Sequence, residues 1–239
     1  METIVNILEI IGIISFAAAG AMIAIDKETD IVGVVLMAIV TCFAGGMLRD
    51  ILAGRLIGLE CPWFFSGSSD ANLYIIISVA TAVTVFLAAL IFKKAYVREE
   101  KLVRSVNNVL DAIGIGVFAA IGTGNYLEAG AFVAISMGVL TSAGGGLIRD
   151  IILNDIPFIL RKYVYVVPIV LGSGLYYVIR KCIIPTAAYA EPVAIIGCVL
   201  LVFVIRMLAT YFKWNLPKAI DFRKMRETVK REQLDEDDF

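Results

Sequence analysis

Seven stretches of this chain are each apolar for about the 20 residues that a helix needs to cross a lipid bilayer. They cover residues 5–25, 31–52, 73–92, 106–122, 129–153, 163–179 and 193–212. Apolar residues make up 60% of the chain and charged residues 18%, whereas soluble domains have roughly 45–50% and about 25%. Backbone groups inside a bilayer must form their hydrogen bonds within the protein, so apolar runs of this length form helices. We therefore predict an all-α membrane protein with seven transmembrane helices.

The two halves of the chain contain an internal repeat. The first apolar stretch contains LEIIGIISFAAAG from Leu8, and the fourth contains LDAIGIGVFAAIG from Leu110. The second stretch contains TCFAGGMLRDIL from Thr41, and the fifth contains TSAGGGLIRDII from Thr141. The offsets are 102 and 100 residues, which indicates a duplication whose loops differ by two residues.

Each copy of the repeat holds three apolar stretches, so the second copy must enter the membrane from the opposite face. The prediction is two inverted three-helix repeats plus one extra helix, which we expect to pack on the outside as a scaffold. In transporters built from inverted repeats, the binding site lies near the bilayer midplane between the copies. The predicted segments are the first repeat, a basic cytoplasmic linker, the second repeat, the seventh helix and a charged cytoplasmic tail, at residues 1–93, 94–105, 106–181, 182–213 and 214–239.

Glycine runs stand at equivalent places in the second and fifth stretches, at Gly45 and Gly46 and at Gly144, Gly145 and Gly146. A glycine inside a helix weakens it by about 1 kcal/mol relative to alanine, so these runs favour a kink or a local break. Close packing of two helices through small residues is the alternative interpretation.

Hydroxyl side chains stand about one turn before each glycine run, at Thr41, Thr141 and Ser142. Together with carbonyl groups freed by a helix break, they could replace part of the hydration shell of a monovalent cation. Hydroxyls that bond only the backbone of their own helix are the alternative.

An Arg-Asp pair follows each glycine run by three residues, as Arg49–Asp50 and Arg149–Asp150. Charges at this depth should be paired and should face protein or water, where they either pin two helices together or line a polar path. Adjacent helix residues point about 100° apart, so we expect each arginine to pair with an acid on another helix. The available acids are Glu9, Asp50, Asp111 and Asp150, of which Glu9 and Asp111 lie on other helices and also suit the positive end of a helix dipole.

The chemistry of an enzyme is missing from this sequence. It has no histidine and no Cys-x-x-Cys pair, and we find no nucleophile–base set and no phosphate-binding loop. We therefore expect no catalytic activity, no cofactor, no resident metal and no nucleic-acid partner, although K⁺ or Na⁺ could bind transiently at the glycine runs.

Two copies of Gly-x-x-x-Phe-Ala-Ala-x-Gly, each followed by Gly-Gly-x-x-Arg-Asp, resemble the trimeric intracellular cation (TRIC) channels and their prokaryotic relatives over residues 5–212. The resemblance implies a homotrimer with one hourglass pore per protomer, conduction of potassium and sodium, second and fifth helices bent at the glycines, and bound lipid. Some bacterial members of the same domain family are described as glycine transporters, so a small-solute secondary transporter is the alternative function. Ala19 and Ile121 stand where the family pattern often has serine, which implies a narrower or drier pore.

The distribution of basic residues predicts the orientation. If the N-terminus is outside, 15 of the 21 Lys and Arg residues lie in cytoplasmic segments, 3 lie on the opposite face and 3 lie within the apolar stretches. Cytoplasmic loops are enriched in basic residues. We predict an inner-membrane protein of a prokaryote, surrounded by membrane lipids, with its N-terminus outside, uncleaved, and its C-terminus in the cytoplasm.

Thiol labelling in intact cells tests this orientation. In a chain whose own cysteines are replaced, a cysteine introduced within residues 94–104 or 213–239 should react with a membrane-impermeant reagent only after the membrane is opened. Lys181→Cys, on the opposite face, is the matched control and should react without opening the membrane. A tail cysteine that reacts from outside intact cells would contradict the predicted orientation.

Overall fold

The computed structural model describes residues 2–54, 69–161, 164–184 and 189–214. Within these ranges the chain forms nine α-helices: α1 Glu2–Asp26, α2 Ile31–Leu52, α3 Ser69–Ile91, α4 Lys93–Arg98, α5 Glu100–Gly124, α6 Ala131–Ile152, α7 Phe158–Arg161, α8 Val166–Val178 and α9 Ala190–Tyr211. A 3₁₀ turn at Leu127–Ala129 precedes α6, and a π-helical turn at Ile179–Ile183 extends α8. The predicted tail lies outside the described residues except for Trp214.

Seven of the described helices are long and apolar enough to cross a membrane, namely α1, α2, α3, α5, α6, α8 with its π-helical turn, and α9. The described ranges contain no β-strand, so the predicted all-α membrane class is confirmed. The predicted linker at 94–105 is itself helical, because α4 covers its first half and α5 begins at Glu100. Arg104 bonds Glu100 one turn away, 2.5 Å between Nη2 and Oε1, which suits a polar helix end that projects beyond the apolar span.

The two repeats run in opposite directions through the bundle. The last residue of α1, Asp26, bonds Tyr96 just before α5 begins, at 3.4 Å between Oδ1 and the hydroxyl oxygen. Phe16 and Phe118, which are equivalent in the two repeats, stack on each other with ring centroids 5.1 Å apart. Equivalent residues touch each other only near a symmetry axis, so the pseudo-two-fold axis passes between α1 and α5 at this pair.

Helices α2 and α6 cross at their glycines. A Cβ added to Gly45 would collide with the backbone oxygen of Thr141, and one added to Gly145 would collide with the backbone oxygen of Thr41. A Cβ on Gly144 would lie 2.9 Å from the Cα atom of Gly45. The same contact therefore occurs twice, once in each direction across the pseudo-two-fold axis.

Of the two outcomes expected at the glycine runs, the local helix break is wrong, and the kink stays a prediction. Both α2 and α6 stay helical through Gly45, Gly46 and Gly144–Gly146. The alternative holds at the crossing, because the missing Cβ atoms let the two backbones approach while both helices continue. Packing against a neighbour thus outweighs the weak helix propensity of glycine in this bundle.

The extra helix, α9, packs along α5 and α8 with one face. A Cβ on Gly116 of α5 would lie 2.9 Å from the Cα atom of Val199, and one on Gly172 of α8 would collide with Val202. The opposite face of α9 exposes Ile196, Leu200 and Val204, as expected for a helix at the lipid boundary. The prediction of a scaffold helix on the outside of the bundle therefore fits only the outer face of α9, because the other face packs against α5 and α8.

The crossing of α2 and α6 gives a stability prediction. Gly145→Ala should lower the free energy of unfolding by about 1–3 kcal/mol, because the added methyl group forces the two backbones apart. The measurement is thermal unfolding of the purified protein in detergent. Gly174→Ala in α8 is the matched control, since the nearest atom to its Cβ would be 4.0 Å away. A Gly145→Ala protein that melts at or above the wild-type temperature would contradict the crossing.

Candidate functional site

A cavity of about 470 Å³ lies between the two repeats. Residues of α1, α2 and α3 line one side of it, and residues of α5, α6 and α8 line the other, with α9 at the edge. The exposed residues Asn125 and Glu191 stand at its mouth, and Thr141 and Phe118 lie at its inner wall. We call the side of the bundle that contains this cavity the Glu9 end, and the opposite side the Asp111 end.

Ionisable side chains of both signs line the cavity. Among the described lining residues, Glu9, Asp50 and Glu191 are acids and Arg49 is the only base. Two of these acids have a basic neighbour, because Asp50 pairs with Arg49 and Glu191 lies 3.8 Å from Arg180 next to the mouth. With Arg180 included, the acids exceed the bases by one, so the cavity favours cations over anions.

Arg49 connects the two repeats at the floor of the cavity. Its Nε atom donates to Oδ1 of Asp50 at 2.9 Å, and its Nη1 atom lies 3.4 Å from the hydroxyl oxygen of Thr141 on α6. Asp50 and Thr141 are both buried. The guanidinium group is therefore held between its own helix and the other repeat.

Arg149 is the equivalent residue at the Asp111 end and is 1% exposed. Its Nε and Nη2 atoms donate to Oδ1 of Asp150 at 2.9 and 2.7 Å. The other carboxylate oxygen of Asp150 accepts the backbone N–H of Phe158 at 2.9 Å, so the start of α7 covers this end of the bundle.

The predicted pairing of Arg49 and Arg149 with acids is confirmed, but the expectation that those acids lie on other helices is wrong. Each arginine pairs with the aspartate that follows it. Neighbouring helix positions point about 100° apart, but the arginine side chain is long enough to fold back and reach the next residue. The directions of the Cβ atoms alone do not show this. Because both partners lie on one helix, the ion pair forms without a second helix being fixed in place beside the charge.

Asp111 pairs with an arginine that the sequence analysis did not select. Arg206 of α9 places Nη2 3.3 Å from Oδ2 of Asp111, and both residues are 5% exposed. The guanidinium carbon of Arg206 lies 4.3 Å from the ring centroid of Tyr165, whose hydroxyl oxygen is 3.5 Å from Oδ1 of Asp111. Asp111 is therefore not the direct partner of Arg149. An arginine within an apolar stretch was the signal that could have identified Arg206.

A tyrosine accompanies the acid of the first helix in each repeat. Tyr74, near the start of α3, donates to Oε2 of Glu9 at 3.0 Å, as Tyr165 before α8 contacts Asp111. The two tyrosines were missed because the third helices of the repeats share no motif in the sequence. Each end of the bundle thus holds an acid, a tyrosine and an Arg-Asp pair from one repeat.

The hydroxyl groups selected from the sequence bond mainly their own helices. Each hydroxyl donates to the backbone carbonyl oxygen of the residue four positions earlier: Thr41 to Met37 at 2.6 Å, Thr141 to Met137 at 2.6 Å, and Ser142 to Gly138 at 2.8 Å. Of these three, only Thr141 lines the cavity.

The glycines of the two runs have different positions. Gly45, Gly144 and Gly145 lie in the helix crossing, whereas Gly46 lines the cavity and Gly146 faces Arg149 and Tyr165. Ile121, one of the two departures from the family pattern, adds an apolar side chain to the cavity wall. The role of all these residues in permeation stays a prediction.

Comparisons with known proteins agree with this architecture. A family model described as "Glycine transporter" matches residues 6–89 and 108–181, which are the two repeats. A UPF0126 membrane protein of Vibrio cholerae is 30% identical over 217 residues, 90% of this chain and 82% of the relative. The UPF0126 membrane protein YvgT of Bacillus subtilis is 30% identical over 222 residues, covering 89% and 95%. The UPF0126 inner membrane protein YadS of Escherichia coli is 32% identical over 168 residues, covering 70% and 74%.

Solved structures of TRIC cation channels share the fold. One is 29% identical with a TM-score of 0.71, covering 90% of this chain and 97% of that one. A prokaryotic TRIC channel crystallised in 0.5 M KCl is 27% identical with a TM-score of 0.71, covering 90% and 100%. The TRIC orthologue of Rhodobacter sphaeroides is 27% identical with the same TM-score, covering 88% and 98%.

A double-mutant cycle tests the pairing at the Asp111 end. Arg149→Met and Asp150→Asn should be coupled in the free energy of unfolding by about 0.5–3 kcal/mol, because each single change leaves a buried charge without its partner. Arg149→Met combined with Glu9→Gln, at the opposite end, is the matched control and should be additive within about 0.5 kcal/mol. The pairing is refuted if Arg149 and Asp150 also prove additive.

Proposed function

The chain belongs to the glycine transporter family of UPF0126 membrane proteins and has the fold of the TRIC cation channels, and on this premise we propose that it is a channel for monovalent cations. In this proposal it assembles as a homotrimer, and each protomer carries its own potassium-permeable pore between its two repeats. Membrane lipid surrounds the exposed apolar faces of the helices.

The observation that carries the proposal is the acid-rich cavity between the repeats. Glu9, Asp50 and Glu191 line it with three carboxylates, and the guanidinium groups beside them are those of Arg49 and Arg180, so a cation is favoured over an anion. Carboxylates at a pore entrance are one of the ways in which cation channels select their ions.

One protomer supplies both halves of the proposed path. The cavity is lined by both repeats of a single chain, and equivalent polar residues stand at the Asp111 end. A pore between protomers would instead need a polar face on an outer helix, whereas the outer face of α9 is apolar. The trimer is supported by the similarity to structures of the trimeric intracellular cation channel family.

The proposed orientation places the Glu9 end outside and the Asp111 end in the cytoplasm, in the inner membrane of a prokaryote. A relative described as an inner membrane protein supports this location. Since α2 and α6 are unbroken at their glycines, we do not place the gate at helix breaks.

A secondary transporter for glycine is the second candidate function. The matching family model carries that description, and the cavity offers carboxylates for an ammonium group beside a guanidinium for a carboxylate. A cavity at one end and a closed opposite end is also the arrangement of a transporter in one of its two alternating states.

Flux through purified protein in liposomes separates the two candidates. With a potassium salt as the only electrolyte, a channel should produce single openings whose current reverses at the potassium equilibrium potential, whereas a transporter should show saturable uptake of labelled glycine without such openings. Saturable glycine uptake with no potassium current would overturn the channel proposal.

Gly46→Leu should reduce the flux strongly, because the leucine side chain would extend into the cavity that Gly46 lines. The position has room for the change, since the nearest atom to an added Cβ is 3.9 Å away. The assembly should stay intact, since Gly46 is not part of the helix crossing. Gly174→Leu is the matched control, a glycine in a helix with similar space and no contact with the cavity. In mixed assemblies of wild-type and Gly46→Leu chains, flux should fall in proportion to the share of variant chains. Unchanged flux through Gly46→Leu would place the path elsewhere.

A further inference from the structure

The two ends of the bundle carry equivalent residues but enclose different amounts of space. The Glu9 end contains the cavity of about 470 Å³. The corresponding space at the Asp111 end has no room for a water molecule. Its lining residues match those of the cavity across the repeat: Gly46 with Gly146, Met47 with Leu147, Arg49 with Arg149, Asp50 with Asp150, and Tyr74 with Tyr165. The Asp111 end is therefore a collapsed counterpart of the cavity.

The helix α9 is the part of the bundle that the repeats do not duplicate. It crosses the bundle once, so it contributes different side chains to the two ends. Near its start, Glu191 stands at the mouth of the cavity. Near its end, Arg206 pairs with Asp111 and stacks on Tyr165. Among the seven long helices that the structure describes, α9 is the one without an equivalent, and it differs between the ends as the enclosed space does. Phe158 and Ile159 of α7 also line the closed end, and the positions that correspond to them in the first repeat lie outside the described residues.

Arg206 joins three helices at the Asp111 end. It sits on α9, its ion-pair partner Asp111 sits on α5, and the stacked ring of Tyr165 immediately precedes α8. An ion pair at this depth holds its partners in place, because separating them without water exposes both charges to an apolar surrounding. The contacts of Arg206 therefore keep α5, α8 and α9 together where the space is collapsed.

The collapsed end is not fully bonded. The Nε atom of Arg206 and the Nη1 atom of Arg149 are both buried, and neither has a hydrogen-bond partner among the described residues. A buried donor without an acceptor costs free energy that hydration would recover. Opening this end to water would therefore satisfy two donors in addition to separating the ion pair, so the closed and open arrangements are competing states.

We propose that Arg206 is the positioning residue that closes the Asp111 end of the path, by holding Asp111 and Tyr165 against α9, and that releasing it opens a second cavity equivalent to the one at Glu9. This inference rests on the proposed function, since it assigns a gate to the same path. Inverted repeats permit such an exchange, because each repeat can adopt the arrangement now held by the other.

Thiol accessibility tests the gate without relying on flux. In a cysteine-free chain in lipid nanodiscs, where both faces meet solvent, Gly46→Cys and Gly146→Cys place matched probes at the two ends. Each thiol faces the guanidinium of the arginine in its own repeat, and each position has room for a Cβ. With Arg206 intact, a charged methanethiosulfonate reagent should modify Gly46→Cys rapidly and Gly146→Cys slowly.

The combined change Arg206→Leu with Asp111→Asn removes both charges, so that no unpaired charge is left to unfold the protein. We expect it to raise the modification rate of Gly146→Cys about tenfold or more, within the usual range of couplings between conformational states. The rate at Gly46→Cys should stay the same or fall. Arg206→Lys, which keeps the ion pair, should keep Gly146→Cys slow.

Two results would overturn the proposal. One is a Gly146→Cys rate that does not change in the double variant while Gly46→Cys reacts as before, since the protein is then folded and the end is still closed. The other is an equal increase at both probes, which indicates general loosening of the bundle. Absence of potassium flux in the wild-type protein would contradict the proposed channel, and the labelling rates would still decide the role of Arg206.

Discussion

The close approach of α2 and α6 at their glycines is the contact on which the rest of the bundle depends. Hydrophobic burial does not drive helices together inside a lipid bilayer, so direct backbone packing must replace it. At Gly45 and Gly145 no side chain separates the two helices, and each backbone contacts the other repeat. Because the repeats meet this closely, Arg49 reaches Thr141 and both repeats line one shared cavity.

The need to pair every buried charge then determines the chemistry at each end of that shared space. Arg149 is neutralised by the aspartate beside it, which leaves Asp111 to pair with Arg206 of α9. Arg49 and Arg149 therefore each find their acid within their own repeat. Of the acids of the two first helices, Glu9 lines the cavity and accepts from Tyr74, whereas Asp111 joins α5 to α9 through Arg206.

The extra helix α9 brings different side chains to the two ends of the bundle, and the two ends also enclose different amounts of space. Two identical inverted repeats would give two equal ends, and a single helix that crosses the bundle once cannot treat both ends alike. α9 places an acid at the mouth of the cavity and an arginine at the collapsed end. A channel needs both ends open at the same time and a transporter opens them in turn, so control of the Asp111 end is central to either function.

The sequence by itself determined the seven helices, the duplication, its inversion and the positions of the matched acids and Arg-Asp pairs. These follow from apolar run length and spacing along the chain, which are local properties. Only the tertiary structure decided that Gly45 and Gly145 pack instead of breaking their helices, because that depends on how near another backbone comes. It also decided that Arg206 meets Asp111, 95 positions away along the chain. Which helices lie side by side is a property of the whole bundle, so the partner of Asp111 could not be read from its neighbours in the sequence, whereas Arg49 and Arg149 pair with the aspartates that follow them.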